Sequence, residues 1–176
     1  MKTKGLLFGL IAIASTLTLG SCKKDSTPSN SFSYNSKNYE TLYAFGSGES
    51  SGAASYTDVT FLSYNPTLTN TTTKVSVGFI EFGTSPVVAG TYTYKAFDDI
   101  SGFDATKNFA AADFGINMDF KDGQYDDATG TQLNEGDITA GTITVAKNGD
   151  VYTFTYNITY KTGTVSGKYS GKVPGL

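Results

Sequence analysis

The chain contains no histidine and no tryptophan, and its only cysteine is Cys22. Arginine is missing too, so all 13 basic residues are lysines. Without imidazole there is no Ser-His-Asp or Cys-His nucleophile, no imidazole zinc site and no haem held by histidine. A lone cysteine forms no disulfide within the chain, and lysine lacks the planar fork with which arginine grips phosphate or carboxylate. Sixteen acidic residues outnumber the basic ones for a net charge of −3, a balance that disfavours nucleic acid as a partner. No nucleophile elbow, phosphate-cradling glycine loop or dinucleotide fingerprint occurs, and no cofactor is called for.

What the chain does have is aromatic residues and glycine: 12 Tyr, 12 Phe and 20 Gly in 176 residues. They are most ordered from Thr142 to Val173, which reads as three consecutive strands, Thr142 to Ala146, Val151 to Tyr160 and Thr164 to Val173. In the middle one Tyr152, Phe154, Tyr156, Ile158 and Tyr160 share one face, and Val151, Thr153, Thr155, Asn157 and Thr159 the other. That period of two marks a half-buried strand. In the third strand Gly167 and Gly171 leave room for neighbouring rings, and Asn148-Gly149 predicts a type I′ hairpin between the first two. One aromatic face needs a second layer to cover it.

Upstream, Phe32 to Tyr34 and Asn38 to Phe45 flank the turn formers Asn35-Ser36-Lys37 and read as an opening hairpin. Gly46 to Ser55 has almost nothing to bury and reads as a mobile loop. Tyr56 to Tyr64 is strand, closed by Asn65-Pro66. In the next strand Val75 and Val77 oppose Ile80 and Phe82 in parity, and a bulge near Gly78 would bring all four to the core side. Gly83 to Pro86 is a turn before the strand Thr91 to Phe97, and Asp98 to Asn108 a loop. Ala110 to Ala112 could form a helical turn ahead of a strand at Ile116 to Phe120. Together these predict an all-β fold, an antiparallel β-sandwich or flattened barrel of about eight to ten strands ending in the three-stranded meander. A lipocalin-like closed barrel around a small apolar ligand is the alternative.

Lys2 and Lys4 precede an apolar run from Gly5 to Leu19 that is short for a membrane span, the pattern of an export signal. Leu19-Gly20-Ser21-Cys22 resembles the lipobox of bacterial lipoproteins. The resemblance implies cleavage after residue 21 and acylation of Cys22 with palmitate-type chains, at about 0.8 kcal/mol for each buried methylene. Lys23 stands where the familiar inner-membrane retention signal has Asp, which implies the outer membrane, on its periplasmic or cell-surface face. The domain division is then a signal peptide at 1–21, a lipidated tether at 22–31 and one β domain at 32–176. Cys22-Lys23-Lys24-Asp25, the Pro-x-x-Ala-Gly-Thr-Tyr run at Pro86 and the Gly-Asp-Val-Tyr-Thr-Phe-Thr-Tyr run at Gly149 are similar to small β-rich envelope lipoproteins of Bacteroidetes. The likeness lies in strand and turn grammar and carries over no catalytic residue. Asp25-Ser26-Thr27 also resembles a short O-glycosylation acceptor of that group, within what otherwise reads as a solvated linker.

Candidate chemistry is sparse. Asp122, Asp126 and Asp127 are the candidate calcium ligands of an acidic stretch that also holds Asp119, Asn134, Glu135 and Asp137. Their spacing does not match an EF-hand loop, Lys121 interrupts it, and Asp-Gly is ordinary turn chemistry. Tyr34, Tyr39, Tyr43 and Tyr125 are candidates for stacking on sugars, with hairpin packing as the plainer use. The threonine rows at Thr142, Thr144, Thr153, Thr155 and Thr159 resemble ice-binding sheets, with a solvated β face as the far commoner use. A carboxylate hydrolase could draw on Glu40, Glu81, Glu135 and a dozen aspartates, and nothing in the sequence selects a pair. The function expected is a non-enzymatic envelope module that binds or scaffolds a carbohydrate or protein, with the apolar-ligand carrier and the carboxylate hydrolase as alternatives.

Overall fold

The computed structural model describes residues 30–51, 54–67, 73–96 and 102–176. The expected export signal, Cys22, all of the expected tether except residues 30–31, Asn70 to Thr72, and Asp98 and Asp99 lie outside the described residues. None of the described helices is long and apolar enough to cross a membrane.

Twelve strands follow one another: β1 Ser31–Tyr34, β2 Lys37–Glu40, β3 Tyr43–Ser51, β4 Ala54–Leu62, β5 Thr73–Phe82, β6 Gly90–Tyr94, β7 Asn108–Lys121, β8 Gln124–Asp126, β9 Thr131–Leu133, β10 Ile138–Asn148, β11 Val151–Tyr160 and β12 Gly163–Lys172. The only helical element described is the 3₁₀ turn Glu135–Asp137. The expected all-β fold is the one observed. Ten strands form one path in the order β2-β1-β12-β11-β10-β6-β7-β5-β4-β3, with β8 and β9 also paired to β7. Every pairing is antiparallel except β6 with β7, which makes the sheet mixed.

The sheet curls because its aromatic face must be covered, and the sheet itself provides the cover. Phe61 of β4 lies 5.5 Å from Phe154 of β11 and 5.5 Å from Tyr169 of β12, although β4 and β11 are five positions apart in the sheet. Phe32 of β1 meets Phe114 of β7 at 5.1 Å across the same distance. Near the open side, the Gly46 amide of β3 donates to the Pro174 carbonyl just beyond β12 at 2.7 Å. The interior between the two arms is lined with packed rings.

In the meander, the five residues assigned inward on β11 are all buried. Gly167 lies under the Tyr156 ring, where a Cβ would collide with it, as the sequence pattern anticipates. The turn differs by one residue. Asn148 pairs with Val151, so the loop is Gly149-Asp150 with positive φ at Gly149 only, a type II′ pattern. The type I′ geometry instead joins β1 to β2, through Asn35 (φ 49°) and Ser36 (φ 61°), in a two-residue loop that pairs Tyr34 with Lys37.

Three other expectations are corrected. Of the expected loop Gly46 to Ser55, residues 46–51 and 54–55 are strand, and residues 52–53 lie outside the described residues: β3 and β4 pair from Tyr43 with Leu62 to Ser51 with Ala54, held by backbone hydrogen bonds that need no large side chains. Ala110 to Ala112 form strand, since β7 sits between β5 and β6 and small residues suit a strand covered on both faces. The bulge lies opposite Ser76, on β7 rather than at Gly78. There Asn117 has φ 54° and donates its amide to the Ser76 hydroxyl at 3.1 Å. Val75 and Val77 therefore stay on the outer face, where Val75 packs with Met118 and Phe120 in a second small core.

Two buried tyrosines separate hydrogen bonding from packing. Tyr160 donates its hydroxyl to the Ala112 carbonyl at 2.8 Å, whereas the buried Tyr156 hydroxyl has no partner among the described residues. Tyr160→Phe is expected to cost about 1–2 kcal/mol, and Tyr156→Phe to be neutral or to stabilise by up to about 1 kcal/mol, because it removes an unsatisfied polar group. Urea unfolding of the two variants side by side checks the ordering, and equal losses would contradict it.

Candidate functional site

On the outer face of β4, β5 and β7, three rows of residues lie side by side: Asp58–Glu81–Ala111, Thr60–Phe79–Asp113 and Leu62–Val77–Gly115. A bare sheet would leave these rows to water. Here the chain leaves β7 through the hairpin turn Asp122-Gly123, both at positive φ, and returns along the other edge of β7 as β8 and β9, an edge cover whose residues wall this face on one side. The returning segment is tied internally. The Asp126 carboxylate accepts from the Ala128 amide at 2.9 Å, and the Asp126 carbonyl accepts from the Thr129 hydroxyl at 2.8 Å. The Thr129 hydroxyl also accepts from the Asp119 amide of β7 at 2.7 Å, and Gln132 donates its side-chain amide to the Met118 sulfur at 2.9 Å.

Between sheet and cover lies a groove of about 640 Å³. Its aromatic walls are Phe45, Tyr64, Phe79 and Tyr125, and its polar groups include Asp113, Asp127, Gln132 and Asn134. Tyr64 rests on Phe120, with ring centroids 4.4 Å apart, while Tyr125 is 48% exposed and free to meet a ligand. A second hollow of about 470 Å³ holds Glu81, Tyr94 and Glu135. The two spaces meet where Asp113 Oδ1 accepts from the Glu135 amide at 2.6 Å.

Burial pushes the Asp113 carboxyl above its ordinary range and the Glu135 charge adds to this, against the lowering effect of the Glu135 amide bond. Burial likewise raises Glu81, reinforced by the charges of Asp58, Glu135 and Asp113. Acids raised in the folded state contribute stability that is fully present below their ordinary values, 3.8 for Asp113 and 4.5 for Glu81, and that is lost as pH rises through their folded values. The domain is therefore expected to become more stable as pH falls from neutral toward about 4.5, and Glu81→Gln with Asp113→Asn should flatten the trend. Asp104, lowered to about 2 by hydrogen bonds from Lys107 and Thr106, acts oppositely but only below its ordinary 3.8. Urea midpoints across pH 4.5 to 7.5 read the slope, and a midpoint that rises with pH would contradict it.

Of the candidates taken from the sequence, Tyr125 and Asp127 line the groove. Tyr34 is core and donates to the Thr162 carbonyl, Tyr39 stacks on Phe32 at 5.2 Å, and Tyr43 is exposed on β3 opposite Leu62, beside the groove without being among its lining residues. Asp122 occupies the hairpin turn, Asp126 caps the next one, and Asp119 pairs with Lys74 at 2.6 Å. No group of three or more acidic or cysteine side chains placed to hold a metal ion occurs among the described residues. Glu81 and Glu135 come together, while Glu40 lies exposed on β2. The threonine face is laced by its own contacts, Thr153 with Ser170 at 2.9 Å and Asn157 with Ser166 at 2.7 Å.

Phe45, Phe79, Asp113 and Gln132 were not singled out by sequence reasoning. The available signal was the odd parity of Phe79 and Glu81 against Ile80 and Phe82, which places an aromatic and an acid together on the face opposite the core. No family model matches the chain, and neither a curated protein nor a solved structure does.

Proposed function

We propose that this is a lipid-anchored envelope protein of the outer membrane that binds carbohydrate non-enzymatically in the groove between the outer face of β4, β5 and β7 and the β8–β9 cover. The observation that carries the reading is an exposed Tyr125 ring beside Tyr64 and Phe79, with carboxylate and amide side chains from Asp113, Asp127, Gln132 and Asn134 on the same surface. Sugar rings present apolar faces that stack on aromatic side chains and hydroxyls that bond to carboxylates and amides, and a few convergent polar groups set orientation in such a site. The lipobox at Leu19 to Cys22 supports the anchoring, and the tether would hold the domain clear of the lipid.

Both halves are open to direct test. Growth with a labelled fatty acid should mark the wild-type protein and leave Cys22→Ser unmarked; equal labelling of the two ends the anchoring proposal. Titration with β-linked tetrasaccharides should give binding that Tyr125→Ala weakens about tenfold, the effect of losing a central aromatic contact. Binding untouched by that substitution would move the ligand elsewhere. The hydrolase reading has one favourable observation, Glu81 and Glu135 sharing a hollow beside the groove. Release of shortened sugars, abolished by Glu81→Gln, would replace binding with catalysis.

A further inference from the structure

We infer that the groove selects a glycan bearing a protonated amine, an amino sugar whose ammonium group meets the carboxylates of Asp113 and Asp127 beside the Phe79 and Tyr125 rings. The inference rests on the carbohydrate reading and adds the charge of the ligand. Charge complementarity carries it. Among the described residues, neither the groove nor the adjoining hollow is lined by a lysine, whereas Asp113, Asp127, Glu81 and Glu135 all line one or the other.

Two of the nearby lysines are paired with other acids. Lys74 pairs with Asp119 at 2.6 Å and Lys161 with Asp137 at 2.8 Å, although Lys161 also reaches the Gly136 carbonyl at 3.4 Å. Asp58, the cross-strand neighbour of Glu81, adds a further negative group to the same face. A bound ammonium would relieve the mutual repulsion of these carboxylates, while the negative faces of the aromatic rings attract a cation as well. An acidic glycan would meet the opposite field and be rejected. A neutral one would gain nothing from that field.

The test uses three β-1,4-linked tetrasaccharides that differ only at carbon 2, where they carry a hydroxyl, an acetamide or an ammonium group. Isothermal titration at about pH 6, where the amine is protonated, should show the ammonium sugar binding about tenfold tighter than the other two. Asp113→Asn and Asp127→Asn should each remove several-fold of that preference, and together most of it. Tyr125→Ala should weaken all three sugars alike. Asp122→Asn, in the hairpin turn outside the groove, should leave the preference intact, which separates the site from a general attraction of cations to a negative protein. Equal affinities, or a preference that survives the double Asp variant, would overturn the inference and leave the carbohydrate reading standing. Binding of none of the three removes both.

Discussion

Phe61→Ala is expected to lower the unfolding free energy by about 3–5 kcal/mol, the usual cost of emptying an aromatic site in a packed core. The side chain is fully buried, and its ring lies 5.5, 5.7 and 5.5 Å from Phe154, Tyr156 and Tyr169. Those partners belong to β11 and β12, on the far side of the curl from β4. Backbone pairing holds each strand to its sheet neighbours, but ring contacts of this kind hold the two arms of the sheet together. A loss of that size is a large part of the roughly 5–15 kcal/mol that stabilises a typical domain, and would lower Tm by about 10 °C. Phe61→Leu, which keeps most of the volume, should cost less than about half as much, and Tyr43→Ala on exposed β3 should fall within about 0.5 kcal/mol of wild type. Urea unfolding followed by tyrosine fluorescence measures all three. A loss below about 1 kcal/mol for Phe61→Ala would mean that the curl is set by the strand hydrogen bonds alone.

The same contacts explain which parts of the structure could be read from the sequence. In β11 every second residue from Tyr152 to Tyr160 is a buried ring or Ile158, so one strand shows its period, its face and the size of its partners. Asp122-Gly123 announces its turn in the same local way. β3 is the contrary case. Its Gly46, Ser47 and Gly48 carry no hydrophobic signal, because an edge strand is held through backbone groups that every residue possesses. β5 misleads for another reason. A parity argument assumes one dry face, but Tyr64, Met118 and Phe120 pack with Val75 and Val77 on the other, so that pair is covered outside while Ile80 and Phe82 are covered inside. The groove inherits that difficulty. Tyr125 stands out in the sequence as an aromatic residue in a polar stretch, whereas Phe45, Phe79 and Asp113 reach it from three strands whose adjacency is a property of the curled sheet.

Gly130→Ala is expected to unseat the cover and empty the groove while leaving the core standing. Gly130 has φ 72°, a conformation costing a residue with a Cβ about 1–2 kcal/mol. A Cβ there would also collide with the Ile116 carbonyl oxygen and come within 2.9 Å of the Asn117 carbonyl carbon, both backbone atoms at the bulge of β7. Overpacking against atoms that cannot rotate away adds about 1–3 kcal/mol. One side must yield. β7 is fixed by β5 along nearly its whole length, while β9 pairs with it through three residues only, so the cover gives way. Tyr125, Asp127 and Gln132 would leave the groove together. Hydrogen exchange should quicken across residues 124–133 and stay slow in β10, β11 and β12, and glycan affinity should fall at least as far as in Tyr125→Ala. Gly149→Ala supplies the comparison, since Gly149 also has positive φ but a Cβ there meets nothing within 4 Å. It should pay the conformational cost alone and bind as wild type. If the two variants lose equal stability and bind equally well, the Gly130 contact does not seat the cover, and the groove owes its shape to the Asp126 and Thr129 hydrogen bonds instead.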